Sequence, residues 1–298
     1  MVIPETQLET WSHQGSVEAA SATYESVRTA LYAGTSVIRD KNFEVFLHGS
    51  YKNDTNIRGD SDVDVVAQLN SSFEYDYSGL SEDERRLFQQ TYPSEATYLW
   101  TTFRTDVLNS LRNHYQSSTV SEGNKSLKIA GGSSRLEADV IVCLQYRKYE
   151  SFRASDDQKY VEGIVFYTKN ENYRVISFPK VHYENGTKKN SDTNGWYKPT
   201  VRMFKNARAF LVDRDTISQD LAPSYFLECL LFNVPNSEFG GNYQTTFYNI
   251  LKWISEANLS TFVSQDRQSL IFDNPFGGWS LDHAKRFIDS LITLWNGW

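Results

Sequence analysis

The chain has 298 residues, 40% hydrophobic and 14% aromatic, enough for about two domains with a sizeable core and too aromatic for disorder. A formal net charge of −7 excludes a general phosphate-backbone binder, so any nucleic-acid contact must come from a local basic patch. Cys143 and Cys229 stand in apolar runs without a CxxC, which excludes a zinc site or disulfide framework and reads as two small buried hydrophobes. The opening MVIPETQLETW lacks the basic and apolar regions of a signal peptide, and no apolar run approaches the ~18 residues of a membrane span. The expected location is therefore the cytoplasm, with no membrane partner.

In chain order, Val17, Ala20, Tyr24, Val27 and Leu31 follow helical spacing and predict a long amphipathic helix over 16–33 capped by Ser16. Phe43–Leu47 predicts a strand that stops at the glycine turn His48-Gly49-Ser50, and Asp62–Ala67 a second strand. Residues 70–95 are polar and irregular, a surface excursion with a short helix at Glu82–Gln90. A helix is expected over Tyr98–His114. Strands follow at Lys125–Ala130 and Leu136–Leu144 around the turn Gly131-Gly132-Ser133-Ser134, then at Gly163–Tyr167 and Arg174–Phe178. Helices dominate afterwards: Pro199–Leu211, Ser224–Phe232, Tyr243–Ala257 and Leu281–Trp295. Strands first and helices later mark an α+β domain followed by a helical one. The stretch NGTKKNSDTN, Asn185–Asn194, is the best loop and the expected boundary, giving domains of 1–190 and 191–298.

The chemistry concentrates at His48-Gly49-Ser50-Tyr51, then Gly59 and Ser61-Asp62-Val63-Asp64. A glycine-serine turn after a strand offers backbone N–H groups and a hydroxyl at close range, a natural phosphate cradle. Asp62 and Asp64 alternate along a strand, so both carboxylates face one side, roughly 7 Å apart. Such a pair suits Mg²⁺, which takes one or two carboxylates and completes its shell with phosphates and water. A third acid is needed if two metals are to drive an in-line phosphoryl displacement. Asp139, inside the apolar strand Leu136–Leu144, is the candidate, because a buried carboxylate is costly unless paired or metal-bound. Asp60 reads as a loop residue, and His48 as structural.

HGSY, nine residues, SDVDVV and then Asp139 resemble the DNA polymerase β-like nucleotidyltransferase superfamily. More narrowly the chain resembles the bacterial cGAS/DncV-like nucleotidyltransferases (CD-NTases), which make cyclic oligonucleotide signals in anti-phage (CBASS) defence, and within them the E-type enzymes. Two further segments carry the likeness: Arg202-Met203-Phe204-Lys205, similar to the family's R-x-x-K helix, and Ser224-Tyr225-Phe226-Leu227-Glu228, similar to its S-[YS]-x-x-E helix.

The resemblance implies a polymerase β-like mixed sheet with a long N-terminal helix and a C-terminal helical domain, the active site lying between the halves. It implies that Gly49 and Ser50 hold the β- and γ-phosphates of a donor nucleotide. Asp62, Asp64 and Asp139 bind two Mg²⁺ (or Mn²⁺) ions, and Asp139 helps deprotonate the acceptor hydroxyl. Lys205 and Ser224 reach the triphosphate, Arg202 belongs to the same nucleotide-binding set, and Tyr225 stacks on the donor base. From the residues alone, Tyr225 reads equally as core packing and Ser224 equally as a helix cap.

Residues 180–208 carry seven basic side chains (Lys180, Lys188, Lys189, Lys198, Arg202, Lys205, Arg208) against Glu184 and Asp192, a local +5. That segment points to an anionic ligand, either the triphosphate or an activating RNA. The expected substrates are NTPs, ATP among them with GTP or UTP, and the product reaches a downstream effector. The expected state is a monomer. The rival readings are transfer to an RNA, small-molecule or protein acceptor, and a dormant nucleotide- or RNA-binding module.

Overall fold

The structure is a computed structural model, and it describes residues 2–58, 62–132, 135–272 and 279–298. Gly59, Asp60 and Ser61 of the motif, and Ser133 and Ser134 of the predicted turn, lie outside the described residues. In chain order the elements are α1 (Glu5–Ser12), α2 (Glu18–Tyr32), β1 (Phe43–Leu47), α3 (Gly49–Asn53), β2 (Asp62–Asp76), α4 (Glu82–Thr91), α5 (Trp100–Tyr115), β3 (Val120–Glu122), β4 (Leu127–Ile129), β5 (Glu137–Phe152), β6 (Gln158–Tyr167), β7 (Arg174–Ser177), α6 (Pro179–Asp192), α7 (Tyr197–Val212), α8 (Ser224–Phe232), α9 (Tyr243–Glu256) and α10 (Leu281–Gly297). They form two compact units. One is Val17–His48 with Ser61–Lys180; the other is Met1–Ser16, Gly49–Asp60 and Val181–Trp298.

The first unit is a mixed sheet. Its strands run β1-β2-β5-β4-β3, with β6 on the far half of β5 and β7 on β6. Only the β2–β5 pair is parallel among those described. Alternation explains the local sequence: Val63, Val65 and Val140 are fully buried, which leaves Asp62, Asp64 and Asp139 to the opposite face. Farther along that face Val66 and Cys143 join Ile164 and Phe166 in a small apolar cluster. Helices α2 and α5 pack on each other and on the sheet. The buried Thr23 of α2 accepts the backbone N–H of Leu136 at 2.9 Å, which anchors the approach to β5.

Several expectations need correction here. Ser16 does not cap α2: it ends the other unit, and Val17 takes the cap position without a side-chain bond. The supposed excursion from residue 70 begins as strand, since β2 runs on to Asp76 past an irregularity between Leu69 and Phe73, and the short helix expected within it is α4. Its far end, with α4, encloses an aromatic core of Phe88, Tyr149 and Phe152. A reciprocal Ser81–Glu84 capping box starts α4.

The second unit is helical, and its core is built from α7, α8, α9 and α10 around Phe204, Phe226, Phe247 and Phe287. The N-terminal segment belongs to this unit. Both carboxylate oxygens of Glu5 accept the first N–H groups of α9, from Tyr243 at 2.8 Å and Gln244 at 2.7 Å, which suits a negative charge at a helix N-terminus. Asn206 holds the Trp11 carbonyl at 2.8 Å. Gly15 lets the chain pass close to residue 57, where a Cβ would stand 2.6 Å from the Ile57 carbonyl oxygen.

The stretch read as a boundary loop is helix α6. Asn, Gly and Ser are poor helix formers, but tertiary bonds override that preference. Asn185 donates to the Gln265 carbonyl at 2.8 Å, and the buried Lys189 donates to the Val234 carbonyl at 2.7 Å and to Asn236 at 3.0 Å. The rings of Tyr197, Phe232 and Phe239 surround that ammonium at 5.1–5.7 Å. The division between the units accordingly differs from a single break near residue 190.

Candidate active site

Parallel pairing of β2 and β5 places Asp64 directly opposite Asp139 and Asp62 opposite Glu137. Neighbouring strands lie about 4.8 Å apart, so these acids crowd the opening end of one sheet face. Asp139 is two-thirds or more covered, its side chain 26% exposed, with the Lys128 ammonium at 3.7 Å. Burial pushes its carboxyl above the ordinary carboxylate range. Lys128 offsets part of this, the negative Asp62 adds to it, and the Ser126 hydroxyl donates a compensating hydrogen bond. Asp139 thus stands where burial and a neighbouring acid both disfavour its charge.

Among the described residues, no three His, Cys, Asp or Glu side chains close around one point tightly enough to enclose an ion alone. The donor chemistry still fits a hard divalent cation: the carboxylates of Asp62, Asp64 and Asp139 share one sheet face. Mg²⁺ in such a site fills the rest of its shell with phosphates and water.

The glycine-serine turn is also built differently from the expected loop. Gly49 has φ +66°, a left-handed conformation that favours glycine. It opens the short helix α3, whose Ser50 carbonyl accepts the Thr55 N–H at 2.9 Å. Beyond α3 the chain enters a buried polar cluster centred on Glu228. Glu228 Oε1 accepts from Thr55 Oγ1 at 2.6 Å and Lys205 Nζ at 3.0 Å. Its Oε2 accepts from Asn53 Nδ2 at 2.9 Å and His182 Nε2 at 2.8 Å. All five residues are more than nine-tenths buried. Burial alone pushes the Glu228 carboxyl up, but the Lys205 ammonium and the bond from His182 outweigh it and hold the group well below the usual carboxylate range. An ionised Glu228 fixes the proton on His182 Nε2, and Nδ1 of that ring finds no hydrogen-bond partner among the described residues.

This cluster changes the picture of two predicted residues. Lys205 does not stand as a solvent-facing phosphate hook: it is 1% exposed, and its ammonium lies on Glu228 and Thr55. Arg202 spans two backbone carbonyls, donating from Nε to Ser12 and from Nη1 to Asp54, and so ties the N-terminal segment to the chain after α3. Ser224 is the first residue of α8, after Pro223 at the cap position. Tyr225 is half-buried, with His182 stacked on it at 5.0 Å and Trp279 at 5.2 Å.

The basic segment is largely spent on the protein itself. Lys180 binds Glu44 and Glu162, Lys188 binds Asp192, and Lys198 binds Asp54. Lys189, Arg202 and Lys205 are placed as above, and Arg208 donates to the Gln219 carbonyl. The local +5 is thus largely engaged in bonds within the protein.

Residues 184–296 match the family model for the cGAS/DncV-like nucleotidyltransferase C-terminal helical domain, and residues 36–104 match the nucleotidyltransferase domain. The chain is 48% identical to the cyclic UMP-AMP synthase of Rhodothermus marinus, over all of this chain and 99% of that one. It is 39% identical, over the full length of both, to the cyclic nucleotide synthase CdnE01 of Staphylococcus haemolyticus.

The chain belongs to the cGAS/DncV-like nucleotidyltransferases.

The fold agrees along its length. The solved R. marinus CdnE c-UMP-AMP synthase, with Apcpp and Upnpp, superposes with a TM-score of 0.88 at 47% identity, covering 99% of this chain and 97% of that one. The Elizabethkingia meningoseptica CdnE cyclic dinucleotide synthase, with GTP and Apcpp, gives 0.78 at 30% identity, over 99% and 100%. Like its relatives, this CD-NTase is an enzyme of the nucleotidyltransferase type with an α+β catalytic sheet and a helical C-terminal part. No helix among the described residues is long and apolar enough to cross a membrane.

Within this CD-NTase the structure gathers Asp62, Asp64 and Asp139 on one sheet face of the first unit. It places Gly49, Ser50, Arg202, Lys205, Ser224 and Tyr225 in the second. Sequence reasoning missed Glu228 as the hub of a buried cluster, along with its donors Asn53, Thr55 and His182. One signal was available: Glu228 interrupts the apolar run FLECLLF just as Asp139 interrupts its strand, and an acid there needs a partner.

Proposed function

We propose that this enzyme condenses nucleoside triphosphates, ATP among them, into a cyclic di- or oligonucleotide second messenger for anti-phage (CBASS) signalling, releasing pyrophosphate. The observation that carries the reading is the pairing of Asp64 with Asp139 across parallel strands on one acidic sheet face, in a chain whose full-length relatives are named cyclic nucleotide synthases.

In this reading a ribose hydroxyl attacks the α-phosphorus of a donor NTP in line. The new P–O bond forms as the bond to pyrophosphate breaks, and a second transfer in the same site closes the ring. Asp139 takes the hydroxyl proton onto a carboxylate oxygen. Asp62, Asp64 and Asp139 would hold two divalent ions, Mg²⁺ or Mn²⁺, which would supply neutralisation of the charge that builds on the phosphates. Gly49, with its left-handed backbone, and the Ser50 hydroxyl hold the β- and γ-phosphates, and Ser224 adds the first turn of α8. Tyr225 stacks on the donor base, which takes the place of Trp279, the less buried of its two ring neighbours. Lys205 adds positive charge through its buried ammonium, while Arg202 keeps the chain after α3 in place. Positioning and electrostatics do most of the work in such transfers.

The test is incubation of the purified chain with labelled ATP, GTP, UTP and CTP and Mg²⁺ or Mn²⁺. Pyrophosphate release together with a phosphatase-resistant product is expected, preceded by a linear pppNpN intermediate. Nucleotide binding without pyrophosphate release identifies a dormant module instead. A product that stays attached to RNA, protein or a small molecule identifies a different acceptor.

A further inference from the structure

We infer that Glu228 is a positioning residue: one buried carboxylate sets where the Gly49–Asn53 turn and the Tyr225 ring stand, and through them nucleotide affinity rather than turnover. The inference rests on the nucleotide-binding reading of Gly49, Ser50 and Tyr225 given above.

The four donors to Glu228 come from four separate places: Asn53 at the end of α3, Thr55 in the following chain, His182 on α6 and Lys205 on α7. Two of these lead directly to the proposed nucleotide contacts. Asn53 closes the helix that Gly49 and Ser50 open, and the Thr55 N–H binds back to the Ser50 carbonyl. His182 is held through Nε2 by Glu228 and lies with its ring 5.0 Å from that of Tyr225, interplanar angle 24°. Tyr225 itself sits one turn before Glu228 on α8.

Stability alone does not call for this arrangement. A buried ion pair is commonly no more stable than apolar side chains of the same volume. An apolar replacement cannot, however, specify four donor positions at once. Nor can an amide: two oxygens accept two hydrogen bonds each, and glutamine turns one of them into a donor facing donors. The requirement for a carboxylate is therefore geometric. It fixes α3 and the His182–Tyr225 stack to one point of α8.

The experiment compares wild type, Glu228→Gln and Thr55→Val, with Thr55→Ser as the conservative rescue. Steady-state synthesis is followed over NTP concentration, and backbone amide exchange over residues 49–57 is measured without nucleotide. Both variants are expected to raise KM for NTP about tenfold with kcat within about threefold, as loss of a charged hydrogen bond implies. Exchange over 49–57 rises by about the same factor, and Thr55→Ser restores both. A fall in kcat at unchanged KM overturns the inference. So does unchanged exchange over 49–57 accompanied only by a lower Tm, which is what a merely structural pair gives. Thr55→Val carries the test if Glu228→Gln does not fold. If wild type makes no product, the functional reading fails separately, and the exchange arm still decides the positioning role.

Discussion

Asp139 and Glu228 are both acids set into apolar runs, the first partly and the second fully buried, and both beside a lysine, yet the protein treats them in opposite ways. Asp139 sees Lys128 at 3.7 Å and a second acid, and its carboxyl is pushed up. Glu228 receives four donors at 2.6–3.0 Å, Lys205 among them, and is held far down. The contrast separates a site from a scaffold. A carboxylate whose charge is disfavoured by burial and a neighbouring acid is poised for a cation or a proton that arrives with substrate, whereas a saturated one has all its partners in the fold.

The largest effect expected on the acidic side is loss of function. Asp62→Asn with Asp64→Asn is predicted to lower product formation by about a thousandfold or more, since phosphate charge is then left unneutralised. The helix content by circular dichroism should be unchanged, and retained synthesis would sink the assignment. On the other side the largest effect is on stability. Removing the Glu228 carboxylate by substitution with alanine strands a buried ammonium, and is predicted to cost about 3–5 kcal/mol in urea unfolding.

Next comes Tyr225→Ala, which removes the ring between His182 and Trp279. It is expected to weaken nucleotide binding by about 1–3 kcal/mol in titration calorimetry, with Tyr225→Trp close to wild type. An unchanged affinity would return Tyr225 to core packing.

The smallest effect runs the other way. Asp139→Asn removes an unfavourable partly buried charge and is expected to raise stability at pH 7 by about 0.5–2 kcal/mol while abolishing synthesis. The two acids also give opposite pH slopes. The Glu228 contribution is present above its ordinary value of 4.5 and is lost as pH falls below it towards the depressed folded value. The Asp139 contribution is present below its ordinary value of 3.8 and is lost as pH rises from there through the raised folded value. Urea unfolding between pH 2 and 8 should therefore flatten at the acid end in Glu228→Gln and above that in Asp139→Asn. Equal slopes in the two variants would contradict the contrast.

The acidic face was legible in the sequence because the information is local. Alternation of Asp62, Val63, Asp64 and Val65 tells a strand with one polar edge, and the glycine before Ser50 tells a backbone that other residues adopt poorly. The α+β order and most helices were legible for the same reason. The Glu228 cluster was not, because its donors stand at 53, 55, 182 and 205 and meet only through the tertiary fold. The basic segment misled for a related reason. Summing charges along residues 180–208 ignores that Lys180, Lys198 and Lys205 each find an acid distant in sequence. The misread loop at 185–194 is another instance, a poor helix sequence held helical by bonds to Gln265 and Val234.

The most direct test is to measure kcat at saturating NTP and the unfolding Tm together, on the same preparations of wild type, Asp139→Asn and Glu228→Gln. Asp139→Asn should be silent yet melt at or above wild type, and Glu228→Gln should melt lower yet turn over within about threefold of it. Activity and stability falling together in both variants would contradict the division between site and scaffold.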